Sequence, residues 1–282
     1  MMLFQRGPLV PVLRFTGPIG MVTPLRPGLS IATAAAAIER AFTMSRTPAV
    51  AIVVNSPGGS AVQSSLIFKR IRQLAAEKSK RVYVFCEDVA ASGGYYLALA
   101  GDEIYADASS IVGSIGVISA SFGLDKAIEK LGIERRVYTA GASKSQLDPF
   151  QPEKAEDVAR LKAIQQDVHD VFISVVKERR AGKLKGADGE LFTGAFWSAR
   201  SALELGLVDG IGELRGKMRE LHGDKVRLKL VPLGGGGLLG RLRRLPSLAG
   251  GDRAAVATDG LAFADDLISA VEARALWSRF GL

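Results

Sequence analysis

Residues 88–100 read Asp-Val-Ala-Ala-Ser-Gly-Gly-Tyr-Tyr-Leu-Ala-Leu-Ala, and this stretch turns from an apolar strand into a helix. Ser92 stands at the turn, with Gly93 and Gly94 directly behind it. A serine at a tight strand-to-helix junction exposes its hydroxyl, and the glycine leaves a backbone N–H available to an oxyanion. The same residues would also form an ordinary helix N-cap followed by a glycine turn. On this stretch alone, nucleophile and N-cap are both open interpretations.

The residues before this stretch alternate between apolar strands and amphipathic helices. They predict strands over residues 9–15, 49–54 and 82–86, a helix over residues 30–44 and a second helix after residues 55–60. Such alternation indicates an α/β fold with a parallel sheet and crossover helices. Ligands of these sheets lie beyond the carboxyl ends of the strands. The turns Pro57-Gly58-Gly59 and Ser92-Gly93-Gly94 are therefore expected at the same edge of the sheet.

The residues after the stretch extend the pattern and then change composition. They predict strands over 104–106, 115–119, 134–139, 207–208 and 225–231, helices over 124–131, 152–180 and 213–221, and an exposed loop over 182–190. Residues 234–237 are all glycine. We therefore expect a compact domain over residues 1–232, a Gly/Arg-rich linker over 233–260 and a C-terminal helix over 261–282.

The composition fits a globular chain. Of its 282 residues 48% are hydrophobic, the formal net charge is +8, and Cys86 is the single cysteine. One cysteine excludes an intrachain disulfide and a cysteine-based metal cage. The basic residues are spread thinly without a nucleic-acid-binding motif, so nucleic acid is not an expected partner. No apolar run reaches the roughly 20 residues that span a bilayer, and no signal-peptide pattern is present. A cytoplasmic location is therefore expected.

A nucleophilic serine needs a base that takes its proton. His169 lies within the long predicted helix and His222 in a polar segment, and neither follows a core strand. A Ser-His-Asp triad is therefore not expected. A lysine acts as a base only when it is neutral, which requires removal from water. Lys144 lies in a loop of small and apolar residues, but its pattern does not distinguish it from an ordinary surface lysine.

Five motifs occur in order along the chain. They are Val54-Asn-Ser-Pro-Gly-Gly59, Ala91-Ser-Gly-Gly-Tyr-Tyr96, Val112-Gly-Ser-Ile-Gly-Val117, Thr139-Ala-Gly-Ala-Ser-Lys144, and Gly194 with Glu204-Leu-Gly-Leu-Val-Asp-Gly-Ile-Gly212. Together they resemble the signal peptide peptidase A and SohB family of serine peptidases over most of the predicted compact domain. The resemblance implies the ClpP/crotonase fold, in which strand-strand-helix units repeat.

The resemblance implies catalytic roles for three side chains. Ser92 matches the family's nucleophile, Lys144 matches its general base, and Ser114 matches the serine that hydrogen-bonds and orients the lysine. The implied reaction is hydrolysis of a peptide bond through an acyl-enzyme. This reaction uses no metal and no cofactor. The implied substrates are peptides or proteins, in particular apolar peptides such as the remnants of signal peptides.

The resemblance also implies an oxyanion hole and an assembly. Gly93 N–H matches one donor to the oxyanion, and an N–H of either Gly58 or Gly59 matches the other. In half-length members of the family, the serine and the lysine that work together come from neighbouring subunits of a homo-oligomeric ring. Isolated monomers of this chain are therefore expected to be inactive.

The chain departs from the family in three places. Ser143 stands where members often carry an aromatic residue or a histidine. Members commonly begin with a membrane-spanning segment, and none is expected here, so substrates would reach the enzyme in the cytoplasm or at the inner face of a membrane that it contacts peripherally. The residues after 232 lie outside the resemblance. They are open to three interpretations: an oligomer clamp, a membrane-surface helix using Arg241, Arg243 and Arg244, or an extension without fixed structure.

Two other functions remain open at this stage. A crotonase-like acyl-CoA enzyme would share the fold and would need an acyl-CoA pocket but not Lys144. A non-catalytic scaffold of the same fold would bind peptides without cleaving them. The joint presence of Ser92, Ser114 and Lys144 argues against a scaffold, because a decayed site is expected to lose at least one of them.

Overall fold

The computed structural model describes residues 7–21, 28–141, 143–234 and 270–282. Within these residues one sheet holds β1 Leu9–Thr16, β2 Ala49–Ser56, β3 Arg81–Ala91, β4 Glu103–Ala106, β5 Ile111–Gly113, β6 Phe196–Ser198, β7 Gly210–Ile211 and β8 Arg227–Leu230. The strands follow the order β6-β5-β3-β2-β1-β8, and β4 pairs with β3 and β7. All pairs are parallel except β5 with β6. The predicted α/β fold with its parallel sheet is confirmed.

Helices connect the strands and cover the sheet. In the described part of the chain they are α1 Ile31–Thr43, α2 Ala61–Glu77, α3 Gly93–Ala98, α4 Asp125–Lys130, α5 Ala155–Arg179, α6 Asp188–Leu191, α7 Ala199–Glu204, α8 Leu214–His222, and α9 over residues 270–278. α1 begins where the sequence predicts because Ser30 and Thr33 form a capping box. Thr33 N–H donates to Ser30 Oγ at 3.4 Å, and Ser30 N–H donates to Thr33 Oγ1 at 3.0 Å.

The central strand β2 explains the continuous apolar run in its sequence. Val50, Ile52 and Val54 point into the larger core cluster beneath α1, α2 and α3. The alternate side chains of Ala51 and Val53 point into a second cluster that Met218 of α8 completes. The sheet is therefore covered on both faces, which is typical of parallel strands.

The strand β3 is long enough to hold two neighbours in succession. Its residues Tyr83–Cys86 pair with β4, and its residues Val89–Ala91 pair with β5. β3 therefore continues beyond Cys86, where the sequence places its end, and stops directly before Ser92. The second half of β3 brings Ser92 and the residue after β5 to neighbouring strand ends.

Two predicted strands, over residues 115–119 and 134–139, are wrong. β5 ends at Gly113 because Gly113 and Ser114 both have positive φ, at 110° and 53°, and residues 115–119 consequently leave the sheet. Residues 134–139 pair with no strand in the region that the structure describes. The strand predicted at 207–208 lies at Gly210–Ile211 instead, and the loop predicted over 182–190 contains the start of α6.

Most of the predicted linker, with Arg241, Arg243 and Arg244, lies outside the described residues. Of the C-terminal helix predicted over residues 261–282, the structure describes residues 270–282, of which 270–278 are helical. Phe280 follows this helix, is 7% exposed, and packs with Val89 and Ala91 of β3. The end of the chain therefore lies against the strand that leads to Ser92.

Candidate active site

Ser92 adopts a backbone conformation that residues other than glycine rarely occupy. Its φ is 53° and its ψ is −121°, a conformation that typically costs about 1–3 kcal/mol and persists only where the surroundings impose it. Two hydrogen bonds hold it: Ser92 N–H donates to Gly113 O at 2.7 Å, and Tyr96 N–H donates to Ser92 O at 2.9 Å. The side chain of Ser92 makes no capping bond to α3. Ser92 thus occupies the N-cap position of α3, but its hydroxyl is not used for capping.

The two glycine turns meet at one edge of the sheet, as the strand order predicts. A Cβ atom on Gly58 would lie 2.8 Å from Ser92 Cβ and 2.9 Å from Gly93 N. A Cβ atom on Gly93 would lie 2.6 Å from Ser64 Oγ. These distances are too short for a side chain, so glycine at both positions is what permits the close approach.

Asn55 links the end of β2 to β3, and sequence reasoning gave it no role. Its Nδ2 donates to Asp88 Oδ2 at 2.6 Å, and its Oδ1 accepts from Val89 N–H at 3.3 Å. Asn55 precedes the first glycine turn and Asp88 lies in the strand before Ser92. In the sequence, this contact is indicated only by the positions of Asn55 and Asp88 close to the two glycine motifs.

Backbone donors surround Ser92. Gly58 N–H donates to Ser56 Oγ at 3.2 Å, near the long end of the usual range. Within the described residues, Gly59 N–H and Gly93 N–H donate to no protein acceptor. Gly93 is buried, whereas Gly59 is exposed. Buried backbone N–H groups are normally paired, so the unpaired N–H of Gly93 beside a strained serine is suited to an incoming oxygen.

Ser114 lies at the end of the strand next to Ser92. It is 6% exposed and has a φ of 53°, and its N–H donates to Ala195 O at 2.7 Å. The bond from Ser92 N–H to Gly113 O joins the two serine-bearing segments. The structure therefore brings Ser92 and Ser114 to the same sheet edge.

Lys144 is not brought to this edge within one chain. It is exposed, its N–H donates to Gly141 O at 3.2 Å, and among the described residues its amine has no hydrogen-bond partner. It belongs to the arm, which we define as residues 117–154. None of the arm's described residues is buried.

His169 lies closer to the site than the sequence indicates. It is partly buried on α5, and its Nε2 lies 3.1 Å from the backbone oxygen of Ile115, the residue after Ser114. His222 lies instead on α8, where burial lowers the pKa of its imidazole. No signal in the sequence placed His169 beside Ile115, because the two residues are 54 positions apart.

A cavity of 580 Å³ opens beside Ser92. Its polar end holds Ser92, Gly93 and Gly59. Its walls are mostly apolar and include Val62, Leu66, Val117, Ile118, Val168, Val171, Phe172 and Leu276. Lys69 and Arg279 are the charged residues among those described around it. A second cavity, of 760 Å³, lies against Val12, Val53 and Phe85 and does not include Ser92.

No helix in the described ranges combines the length and the apolar character needed to cross a membrane.

Comparison with known proteins identifies relatives that carry peptidase names. The family model described as peptidase family S49 matches residues 75–226. A protein of Synechocystis sp. named as a protease is 36% identical over 194 residues, which cover 65% of this chain and 68% of the relative. The chloroplastic serine protease SPPA of Arabidopsis thaliana is 34% identical over 170 residues, covering 59% of this chain and 24% of that protein.

A protein of Brucella abortus is similar over nearly the whole chain. It is named Na(+)/H(+) antiporter NhaA and is 55% identical over 276 residues, which cover 97% of this chain and 37% of the relative. The chain thus spans little more than a third of that protein. Because the shared part includes almost all of this chain, it also includes the residues matched by the peptidase family model.

Proposed function

Because this chain belongs to peptidase family S49, we propose that it is a serine peptidase in which Ser92 is the nucleophile and Lys144 the general base. The observation that carries the proposal is the strained backbone of Ser92, which leaves its hydroxyl uncapped beside unpaired backbone donors. Strain of this kind clusters at functional sites. Family membership favours a peptide bond over an acyl-CoA thioester as the bond that is broken.

The reaction proceeds in two halves. Ser92 Oγ attacks the carbonyl carbon of the scissile bond while its proton passes to Lys144 Nζ. The tetrahedral intermediate then collapses, Lys144 returns the proton to the leaving amine, and an ester to Ser92 remains. In the second half Lys144 takes a proton from water, the hydroxide attacks the ester, and Ser92 Oγ recovers its proton as the acid product leaves. Ser114 hydrogen-bonds Lys144 and orients it.

Two backbone N–H groups stabilise the oxyanion in both halves. We assign one to Gly93, which follows the nucleophile and has no competing acceptor among the described residues. We assign the other to Gly58, because Gly58 packs directly against Ser92 and Gly93. Its long bond to Ser56 Oγ is weak enough to be exchanged for the charged oxygen.

Lys144 reaches Ser92 from a second copy of the chain in this proposal. The arm exposes large apolar side chains, including Phe122 at 83% and Tyr138 at 89%, and α4 within it has no buried residue. Exposed large apolar side chains gathered in one segment are suited to a protein interface. Packing of the arm on a neighbour would bury these side chains and remove water from the amine, which favours the neutral form that a base needs. Repetition of the contact closes a homo-oligomeric ring.

The substrates we propose are apolar peptides, such as remnants of signal peptides. The support is the cavity beside Ser92, whose walls are formed mainly by Val, Leu, Ile and Phe side chains. Burial of apolar side chains in such a cavity contributes about 25 cal/mol for each Å² removed from water. A non-catalytic scaffold would need the same cavity but would not need the uncapped hydroxyl.

A serine-reactive fluorophosphonate probe tests the proposal. We expect the wild type to be labelled and Ser92→Ala and Lys144→Ala to lose labelling. Lys126→Ala is the matched control, because Lys126 is a lysine of the same arm. Labelling that persists in Lys144→Ala would remove the lysine from the mechanism, and a wild type that is never labelled at any protein concentration would favour the scaffold.

A further inference from the structure

The cavity beside Ser92 carries positive charge without negative charge. Lys69 of α2 and Arg279, which follows α9, both line it, and no acidic residue does so among those described. Neither of these cations forms an ion pair within the described ranges. Arg279 lies over the Phe280 ring, 6.0 Å from its centroid, but neither cation has a carboxylate partner among the described residues. An apolar cavity with two such cations is complementary to an apolar ligand that carries an anion.

Neighbouring basic residues on the same helix behave differently. Arg70 pairs with Glu39, and Arg72 pairs with Asp102 at 2.8 Å. Lys69 directly precedes Arg70 in sequence but lines the cavity. Arg70 and Arg72 of α2 therefore have carboxylate partners, whereas Lys69, which lines the cavity, has none among the described residues.

The position of Arg279 is fixed by the residue after it. Phe280 is buried against Val89 and Ala91, and its ring centroid lies 5.1 Å from that of Phe196. This anchor holds the end of the chain at the mouth of the cavity. Arg279 is therefore positioned next to the cavity even though its own side chain is exposed.

The spacing along α2 gives the separation between Lys69 and the start of the helix, which follows Gly59. Ala61 begins α2 beside Gly59, and Val62, Leu66 and Lys69 follow along the cavity. A helix rises 1.5 Å per residue, which places Lys69 about 12 Å along the axis from Ala61. An extended peptide covers that distance with about three or four residues.

We propose that Lys69 and Arg279 bind a carboxylate of the peptide substrate, about three or four residues from the bond that Ser92 attacks. This inference rests on the proposed peptidase function and names the substrate class more narrowly, as apolar peptides with an anionic group at that distance. A guanidinium and an ammonium donate charge-assisted hydrogen bonds to carboxylate oxygens. Both cations are exposed, so their attraction to a carboxylate is screened by salt. The carboxylate is either an acidic side chain or the C-terminus of the peptide.

The test uses the full chain and matched internally quenched apolar peptides. One pair differs by Glu or Gln at the third or fourth residue from the cleaved bond, and a second pair ends there in a free carboxylate or an amide. We expect kcat/KM about tenfold higher for the charged member of at least one pair. The pair that shows the preference identifies the source of the carboxylate. Added salt is expected to reduce the preference.

Two variants and two controls assign the preference to the cations. Lys69→Gln and Arg279→Gln should each reduce the ratio between charged and neutral peptides several-fold. Arg70→Gln, on the same helix, and Arg274→Gln, on α9, should keep the wild-type ratio. Equal hydrolysis of charged and neutral peptides by the wild type would overturn the inference, as would a ratio that survives both Lys69→Gln and Arg279→Gln.

Binding to Ser92→Ala separates this inference from the proposed function. Fluorescence anisotropy with the same labelled peptides reports the carboxylate preference even if no peptide is ever cleaved. A preference in binding without any hydrolysis would contradict only the proposed function. No preference in binding, or tighter binding of an acyl-CoA than of either peptide, would contradict the carboxylate site.

Discussion

Every residue from Gly93 to Ala100 is buried, whereas α4 on the arm has no buried residue. Around Ser92 the geometry is set by backbone bonds, by glycines that leave no room for side chains and by the Asn55 link. The arm holds its own shape through contacts such as the ion pair of Arg135 and Asp148 at 2.8 Å, but its apolar side chains face outward. One region is packed within a single chain, whereas the apolar side chains of the other are left exposed by that chain.

The largest expected effect comes from the exposed region. Lys144→Ala should lower kcat by at least about a thousandfold, because the proposed general base is lost, while the free energy of unfolding changes by less than about 0.5 kcal/mol. Steady-state kinetics and urea denaturation measure the two quantities. Lys126→Ala on the same arm should change neither. Full activity in Lys144→Ala would show that the arm contributes nothing to the chemistry.

The next largest effect on kcat is expected from a side chain added next to Ser92. Gly58→Ala should lower kcat by about a hundredfold, because the new Cβ atom would collide with Ser92 and displace an oxyanion donor. Gly182→Ala is the control, since Gly182 also has positive φ but has nothing within 4 Å of a Cβ atom. It should cost about 1–2 kcal/mol of stability and leave kcat unchanged. Equal kinetic effects of the two variants would contradict a site preorganised by the backbone.

Substitution of two phenylalanines distinguishes packing within the chain from packing between chains. Phe172 is 5% exposed, and Phe172→Ala should destabilise the chain by about 3–5 kcal/mol at every protein concentration. Phe122 is exposed, so Phe122→Ala should leave the isolated chain stable but raise the dissociation constant of the assembly about tenfold. Denaturation at several concentrations and sedimentation velocity measure these effects. An unchanged assembly in Phe122→Ala would remove Phe122 from the interface.

The smallest expected effect concerns His169, which we infer to be a positioning residue. His169→Leu removes the contact to the backbone oxygen of Ile115 and should lower kcat several-fold with little change in KM, because Ser114 is no longer held in place. His169→Gln keeps a donor and should recover most of the loss. Equal kcat values for the two variants would show that the hydrogen bond is not what matters.

The sequence predicts the region around Ser92 well, because the apolar and glycine patterns of this region arise from burial within the same chain. The continuous apolar run of β2 and the glycines after β2 and β3 each have a local cause, namely coverage on both faces and close backbone approach. The extension of β3 to Ala91 was missed because Glu87 and Asp88 interrupt the apolar pattern. Those two residues lie where β3 changes its neighbour from β4 to β5.

The arm is where sequence reasoning fails. The apolar residues at 115–119 and 134–139 look like strands, yet in one chain they have no sheet to join. A surface that packs on another copy carries the same apolar signal as a strand that packs on its own core. In the proposed assembly, the position of Lys144 relative to Ser92 depends on a second copy, so it could be inferred only from the resemblance to a family.

Mixing two inactive variants tests the shared site most directly. Ser92→Ala keeps the lysine and Lys144→Ala keeps the serine, so a ring assembled from both contains some interfaces with both groups intact. For random assembly at equal amounts, we expect peptidase activity of about one quarter of the wild type. A mixture that assembles like the wild type but stays as inactive as its components would contradict a site shared between chains.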